Sequence, residues 1–267
     1  MTTYKNFFGF SCEPFAQDIP VAKLYPIPAL KSTTERCLFA IELGAVCVVT
    51  GDVGAGKSTT LRYASSKLHP SKYRIIPIIA SSGSNLEILR QICQDLDADS
   101  TSNSIARLTK TIRTQVQETA LRKQIPVFIV DEANLLRLEV LAQIQTLGQF
   151  ELDSKPLLPL ILAGQSNLLD KIMYHTSKPI ASRVVARSHL EGLNLEDMAG
   201  YLKHHLEIAG IKNQLFADEA ILAIHQGSGG LLRRANNLAR GALIAAAREK
   251  CQVVAAEHVR VASTEII

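Results

Sequence analysis

One eight-residue stretch constrains this chain more than any other: Gly51-Asp-Val-Gly-Ala-Gly-Lys57-Ser58. It sits directly behind the aliphatic run Val46 to Thr50 and directly ahead of a helix-forming segment. The pattern G-x-x-x-x-G-K-S in that setting describes a strand-to-helix turn whose backbone N–H groups cradle phosphate, with the helix N-terminus adding positive potential. Gly51, Gly54 and Gly56 give the backbone the freedom to wrap an anion, and Asp52, Val53, Ala55 and Thr59 complete the loop. Lys57 is placed to reach the β- and γ-phosphates of a nucleoside triphosphate and Ser58 to hold Mg²⁺. A plain glycine-rich turn explains the glycines but not the Lys-Ser pair that follows them. ATP and Mg²⁺ are therefore the expected ligands.

Two further aliphatic runs, Val127 to Val130 and Leu160 to Ala163, end on polar clusters and read as buried parallel strands. Arg74 to Ile79 and the segment near Arg183 to Ala186 fall where a strand-helix repeat places a fourth and fifth. Helical spacing fills the gaps over Ser58 to Lys67, Asn85 to Leu96, Ser104 to Arg122, Arg137 to Phe150 and Asn167 to His175. Beyond about Leu190 the pattern turns all-helical, over Asn194 to Ala209, Ala217 to His225, Leu231 to Glu249 and Ala256 to Ala262. The expectation is an α/β nucleotide-binding domain over 1–190 followed by a small helical domain over 191–267.

The strand Pro126-Val-Phe-Ile-Val-Asp131-Glu132 ends in two carboxylates. A buried strand tolerates such an ending when a cation lies at its tip. Asp131 is expected to bind Mg²⁺ through water, and Glu132 to deprotonate the water that attacks the γ-phosphate. After the next strand comes Gly164-Gln165-Ser166-Asn167, at the carboxyl edge where open α/β sheets bind ligands. Two readings of this turn stand side by side: Gln165 orients the attacking water, or Ser166 or Asn167 simply caps a helix. Arg183 and Arg187, and the Arg233-Arg234 pair, fit either a γ-phosphate or ordinary surface ion pairs.

The five cysteines form no CxxC pair, which speaks against a disulfide framework or a zinc site and for a reducing cytoplasm. No apolar run reaches the ~18 residues needed to span a bilayer, so no membrane is expected. The formal charge of +4 permits a polyanionic partner without requiring one. Arg107, Lys110 and Arg113, spaced along one face of a predicted helix opposite Ile105, Leu108, Ile112 and Val116, read first as a solvated helix face and second as candidate DNA contacts. The polar stretches Thr101 to Ser104 and Ser81 to Ser84 are alternatives.

The order of these motifs resembles AAA+ ATPases, specifically the ExeA/GspA-like group that also includes transposition ATPases of the TnsC and MuB type. The opening Tyr4-Lys-Asn-Phe7-Phe8-Gly9-Phe10, with Glu13-Pro14-Phe15, is similar to that group's start, and implies a segment folding against the nucleotide base. Ala163-Gly164-Gln165 is similar to its A-G-Q element, implying Gln165 as sensor 1. Ser182-Arg183-Val184 resembles the box whose arginine acts as a finger in trans, and Gly230-Leu-Leu-Arg233-Arg234-Ala-Asn236 a run implying Arg233 as sensor 2. Leu232 stands where the group carries proline, and Ser166 departs from it likewise. The resemblance implies an AAA+ α/β domain with a helical lid, assembled as a homo-oligomeric ring or filament. Because this sequence stops at Ile267 whereas secretion-type members continue into a membrane span, the expected role is a cytoplasmic, DNA-binding regulator of transposition. It would assemble on duplex DNA and recruit a transposase, the alternative being the ATPase domain of a secretion-assembly protein.

Overall fold

A computed structural model describes residues 4–265. Among them, five parallel strands form one sheet: β1 (Val46–Gly51), β2 (Tyr73–Ile79), β3 (Ile125–Asp131), β4 (Leu160–Gly164) and β5 (Val184–Leu190), in the order β2-β3-β4-β1-β5. The helices in chain order are α1 (Tyr4–Phe8), α2 (Pro28–Glu42), α3 (Lys57–Ser66), α4 (Asn85–Asp95), α5 (Ile105–Leu121), α6 (Leu138–Leu147), α7 (Asn167–Met173), α8 (Lys178–Ala181), α9 (Leu195–Ile208), α10 (Asp218–Ser228), α11 (Leu232–Arg248) and α12 (Ala256–Glu265). The parallel α/β class and the helical C-terminal part are as the sequence implies.

Two compact units emerge. The first comprises Pro28–Gly51 and Lys57–Leu190. Its inner strand β1 is buried along its whole length, and alternate residues serve opposite faces. Val46 and Val48 join Phe128, Val130, Leu160 and Leu162 in a core roofed by Ile88, Ile92, Leu108, Ile112, Leu141 and Ile144 from α4, α5 and α6. On the other face α2 and α3 pack on β1, where the Cys37 and Cys47 sulfurs lie 3.6 Å apart as free thiols.

Helix α2 is absent from the sequence-based expectation. Its buried side reads Leu30, Thr33, Thr34, Cys37, Ala40 and Ile41, a continuous helical stripe in which two threonines hide the apolar signal. Thr34 makes burial tolerable by donating its hydroxyl hydrogen to Leu30 O at 2.7 Å. Strand β5 also runs further than Ala186. It is an edge strand burying only alternate residues, so Arg187 and His189 face outward and break the aliphatic run.

The second unit comprises Glu191–Ile267, the chain up to Ile27, and Asp52–Gly56. Its core joins Phe8, Phe10 and Phe15 to Met198, Leu202, Leu206, Phe216, Ala239 and Leu243. This corrects the expected 1–190 boundary: the described part of the N-terminal segment packs with the helical unit, because its aromatic side chains find their buried surface on α9 and α11. Arg240 fixes the segment from α11, donating to Glu13 Oε1 at 3.2 Å and to Phe15 O at 2.9 Å.

Candidate active site

Strand register brings the chemistry-bearing residues of the sheet to one edge. Thr50 pairs with Gly164, Gly51 with Leu190, Val130 with Leu162 and Ile79 with Asp131. Asp131 therefore stands opposite Ala163, one residue short of Gly164, so the carboxyl ends of β1, β3 and β4 finish in a single row. Adjacent strands lie about 4.8 Å apart, which sets Asp131 roughly 10 Å from Thr50 across the intervening β4. An open parallel sheet binds its ligand at this edge.

At the end of β1 the chain enters the phosphate loop. Gly54 and Gly56 have φ of +87° and +96°, the left-handed region that favours glycine. Gly51 does not share that requirement, since it is the last residue of β1 and is absent from the positive-φ glycines. Lys57 opens α3 with its side chain buried, and its Nζ donates to Gly51 O at 2.9 Å. A buried ammonium at a helix start is a donor suited to phosphate. Ser58 follows on the exposed side of the same turn. With Asp131 at the end of β3, beyond the intervening β4, it offers the hard oxygen ligands that Mg²⁺ requires.

Asp131 is half-buried and its Oδ1 accepts from Glu132 N–H at 2.9 Å. Glu132 itself has φ 54° and ψ 33°, a left-handed conformation that costs a non-glycine residue about 1–2 kcal/mol. Such strain persists only where the surroundings hold it. Here the chain continues into a 3-10 turn over Ala133–Leu135, and the buried Asn134 accepts a hydrogen bond at its Oδ1 from Gln165 N–H, 3.0 Å away. Gln165 is thereby fixed at the start of the turn leading to α7. Ser166 occupies the N-cap position without a side-chain capping bond, so the capping explanation of this turn is not what the fold uses.

The arginines separate. Arg183 precedes β5 at the opposite end of the sheet, where its carbonyl accepts from Val46 N–H at 3.0 Å. At about 3.3 Å per residue, the span of β1 from Val46 to Gly51 sets it roughly 16 Å from its own phosphate loop. Its guanidinium pairs with Asp153 at 2.5 Å. Arg187 is exposed on the edge strand, its carbonyl taken by the Arg36 guanidinium at 2.9 Å. In the helical unit, Arg233 and Arg234 are exposed in the first turn of α11, and Arg233 N–H donates to Gly54 O at 3.2 Å.

Of the proposed DNA contacts, Arg107 and Lys110 are exposed on α5. Arg113 is not available in the same way: it donates to Thr146 O at 2.8 Å and lies over the Phe150 ring at 4.7 Å, so its cation is committed to holding α5 against α6. Ile105, expected in the apolar stripe, is 42% exposed, and Leu108, Ile112 and Val116 carry the buried face. Asn134, Lys171 and Asp153 were not singled out by sequence reasoning, because each acts through contacts with residues distant in the chain.

Residues 42–172 match the family model described as "AAA domain". Over 245 residues the chain is 30% identical to General secretion pathway protein A of Aeromonas hydrophila, covering 91% of this chain and 45% of that protein. It thus spans less than half the length of that relative. Among solved structures, Cdc6p from Pyrobaculum aerophilum superposes with a TM-score of 0.76 at 15% identity, over 95% of this chain and 70% of that one. The Aeropyrum pernix ORC1 protein, solved in complex with DNA, gives 0.70 at 17% identity, over 94% and 68%. The Thermotoga maritima RuvB Holliday junction branch migration motor gives 0.54 at 17%, over 88% and 69%.

Proposed function

We propose that this chain, whose residues 42–172 match an AAA domain, is a P-loop ATPase that uses ATP with Mg²⁺ and forms the ATPase module of a protein of the General secretion pathway protein A type, working as a homo-oligomer. The observation that supports this reading is 30% identity sustained over 91% of the chain, well outside the nucleotide motifs alone. It reverses the order of the two roles drawn from the sequence, in which transposition came first. Among the described residues no helix is long and apolar enough to cross a membrane.

In the proposed mechanism the phosphate loop, Asp52 to Gly56 with Lys57, holds the triphosphate, and Lys57 leaves Gly51 O to meet the β- and γ-phosphates. Ser58 and, through water, Asp131 would hold Mg²⁺, which would supply charge neutralisation on the phosphate oxygens. Glu132 accepts the proton of the attacking water and Gln165 orients that water from the neighbouring strand end. Arg233 senses the γ-phosphate. Arg183, about 16 Å along the sheet from its own loop, is the finger for an adjacent subunit's site. The test is Lys57→Ala, expected to abolish tight ATP binding in a fluorescent-nucleotide titration while leaving the melting temperature near wild type. Unchanged ATP affinity overturns the site.

A second reading, an ATP-dependent regulator of transposition on duplex DNA that recruits a transposase, keeps one supporting observation: Arg107 and Lys110 project into solvent from α5. Duplex affinity falling steeply with salt would favour it.

A further inference from the structure

The turn that follows the acidic pair is tied to the turn that carries Gln165 by a clasp independent of the sheet. Asn134 is 5% exposed and its Oδ1 accepts from Gln165 N–H at 3.0 Å. From α7, the Lys171 ammonium donates to Asn134 O at 2.5 Å and to Leu136 O at 2.8 Å, closing the same 3-10 turn from below. The approach is close enough to exclude any side chain between them: a Cβ on Gly164 would lie 2.6 Å from Asn134 Oδ1 and 2.9 Å from Asn134 N. The residue two before Asn134 is Glu132, held in a left-handed conformation that is strained for glutamate.

We propose that Asn134, locked by Lys171, is the positioning residue that sets Glu132 and Gln165 in one geometry, so that the base and the water-orienting amide act as a unit. Sheet hydrogen bonds fix Asp131 and Gly164, but both functional side chains lie beyond the last paired residues. The clasp spans that gap, tying the turn after Asp131 to the turn after Gly164. A proton acceptor and a water-holding amide must share one water within hydrogen-bond reach, and a displacement of about 1 Å in such a constellation costs on the order of 10²-fold in rate. The ground-state grip on ATP comes from the phosphate loop instead, and is predicted to be untouched.

This inference rests on the proposed roles of Glu132 and Gln165, and the experiment separates the two. Steady-state ATP hydrolysis is measured for Asn134→Ala, Gln165→Ala, the double variant, Lys171→Met and Lys171→Arg, with ATP affinity and melting temperature recorded for each. Asn134→Ala is expected to lose roughly 10- to 100-fold in kcat with KM for ATP within about twofold. The double variant is expected to be no slower than about threefold below the slower single, because residues acting as a unit are not additive. Lys171→Met should fall in the same direction and Lys171→Arg should recover most of the rate. An unaltered kcat in Asn134→Ala, multiplicative losses in the double variant, or losses that merely follow melting temperature and ATP affinity would overturn the proposal. Wild-type turnover in Gln165→Ala alone would instead remove the role given to Gln165.

Discussion

Replacing Arg183 by alanine tests assembly and chemistry at once. The sheet geometry dictates the expectation. Arg183 lies before the first residue of β5, beside Val46, whereas the phosphate loop leaves β1 after Gly51. Five strand steps of about 3.3 Å separate the two ends, roughly 16 Å, while an extended arginine reaches only about 7 Å from its Cα by simple bond lengths. Arg183 therefore serves another subunit's nucleotide or none. As a finger it stabilises charge that develops in the transition state and is worth ~10³- to 10⁵-fold, equivalent to about 4–7 kcal/mol. Its present partner, Asp153, forms a half-exposed ion pair of the kind worth about 1 kcal/mol or less, so that contact cannot retain the guanidinium against a neighbour's γ-phosphate. Arg183→Ala should thus bind ATP normally and hydrolyse it at least about 10³-fold more slowly. Mixed with Lys57→Ala protein, it should regain part of the activity, since intact loops of one variant meet intact arginines of the other. Asp153→Asn should change the rate by no more than about fivefold. An Arg183→Ala protein as active as wild type, or a mixture that co-assembles yet stays inactive, defeats the finger assignment and makes Arg187 the next residue to test.

Glu132→Gln should retain ATP affinity and lose about 10²- to 10⁴-fold in turnover, read by single-turnover hydrolysis; a loss under tenfold removes Glu132 as the base. His205 is buried against Phe15 and Tyr201, and burial, with His204 beside it, lowers its pKa to about 4. The unfolded chain takes up that proton below about pH 6.5 and the folded chain only below about pH 4, so stability should fall by roughly 3 kcal/mol as pH drops across that window. Melting curves of His205→Phe should show a shallower acid slope, and an unchanged slope would exclude His205 as the cause. Arg113→Ala should cost about 2 kcal/mol of stability through the lost bond to Thr146 and contact with Phe150, without altering duplex-DNA affinity. Arg107→Glu with Lys110→Glu should weaken DNA binding if that reading holds, and equal binding by all three proteins would remove α5 as the DNA surface.

What the sequence made legible was chemistry confined to one stretch of chain. The glycine-lysine-serine run and the strand-terminal Asp131-Glu132 pair are each local, and each makes sense only at a strand end, so both motif and fold class follow from them. Positions that depend on partners elsewhere in the chain were not legible. The stripe of α2 is complete in three dimensions, but Thr33 and Thr34 lower its apolar signal and the hydroxyl bond of Thr34 appears only in the folded helix. The phenylalanines near the N-terminus have no helical or strand periodicity, and their destination on α9 and α11 is a matter of available buried surface. Asn134 and Gln165 are 31 residues apart, and nothing in either segment announces their hydrogen bond.

Arg183 shows why single arginines resist sequence reading. A surface ion pair and a finger are its two readings, and its place in the fold is compatible with both. The pair with Asp153 is present, and the residue stands at the sheet edge remote from its own site. A group that acts on a neighbour must be exposed in the free subunit. An exposed guanidinium in water gains by pairing with whatever carboxylate its own chain offers, provided the contact is weak enough to break. The ion pair is thus the expected resting state of an arginine kept ready for another subunit. It counts against the finger only if its strength exceeds what the transition state returns, and a half-exposed pair falls several kcal/mol short of that.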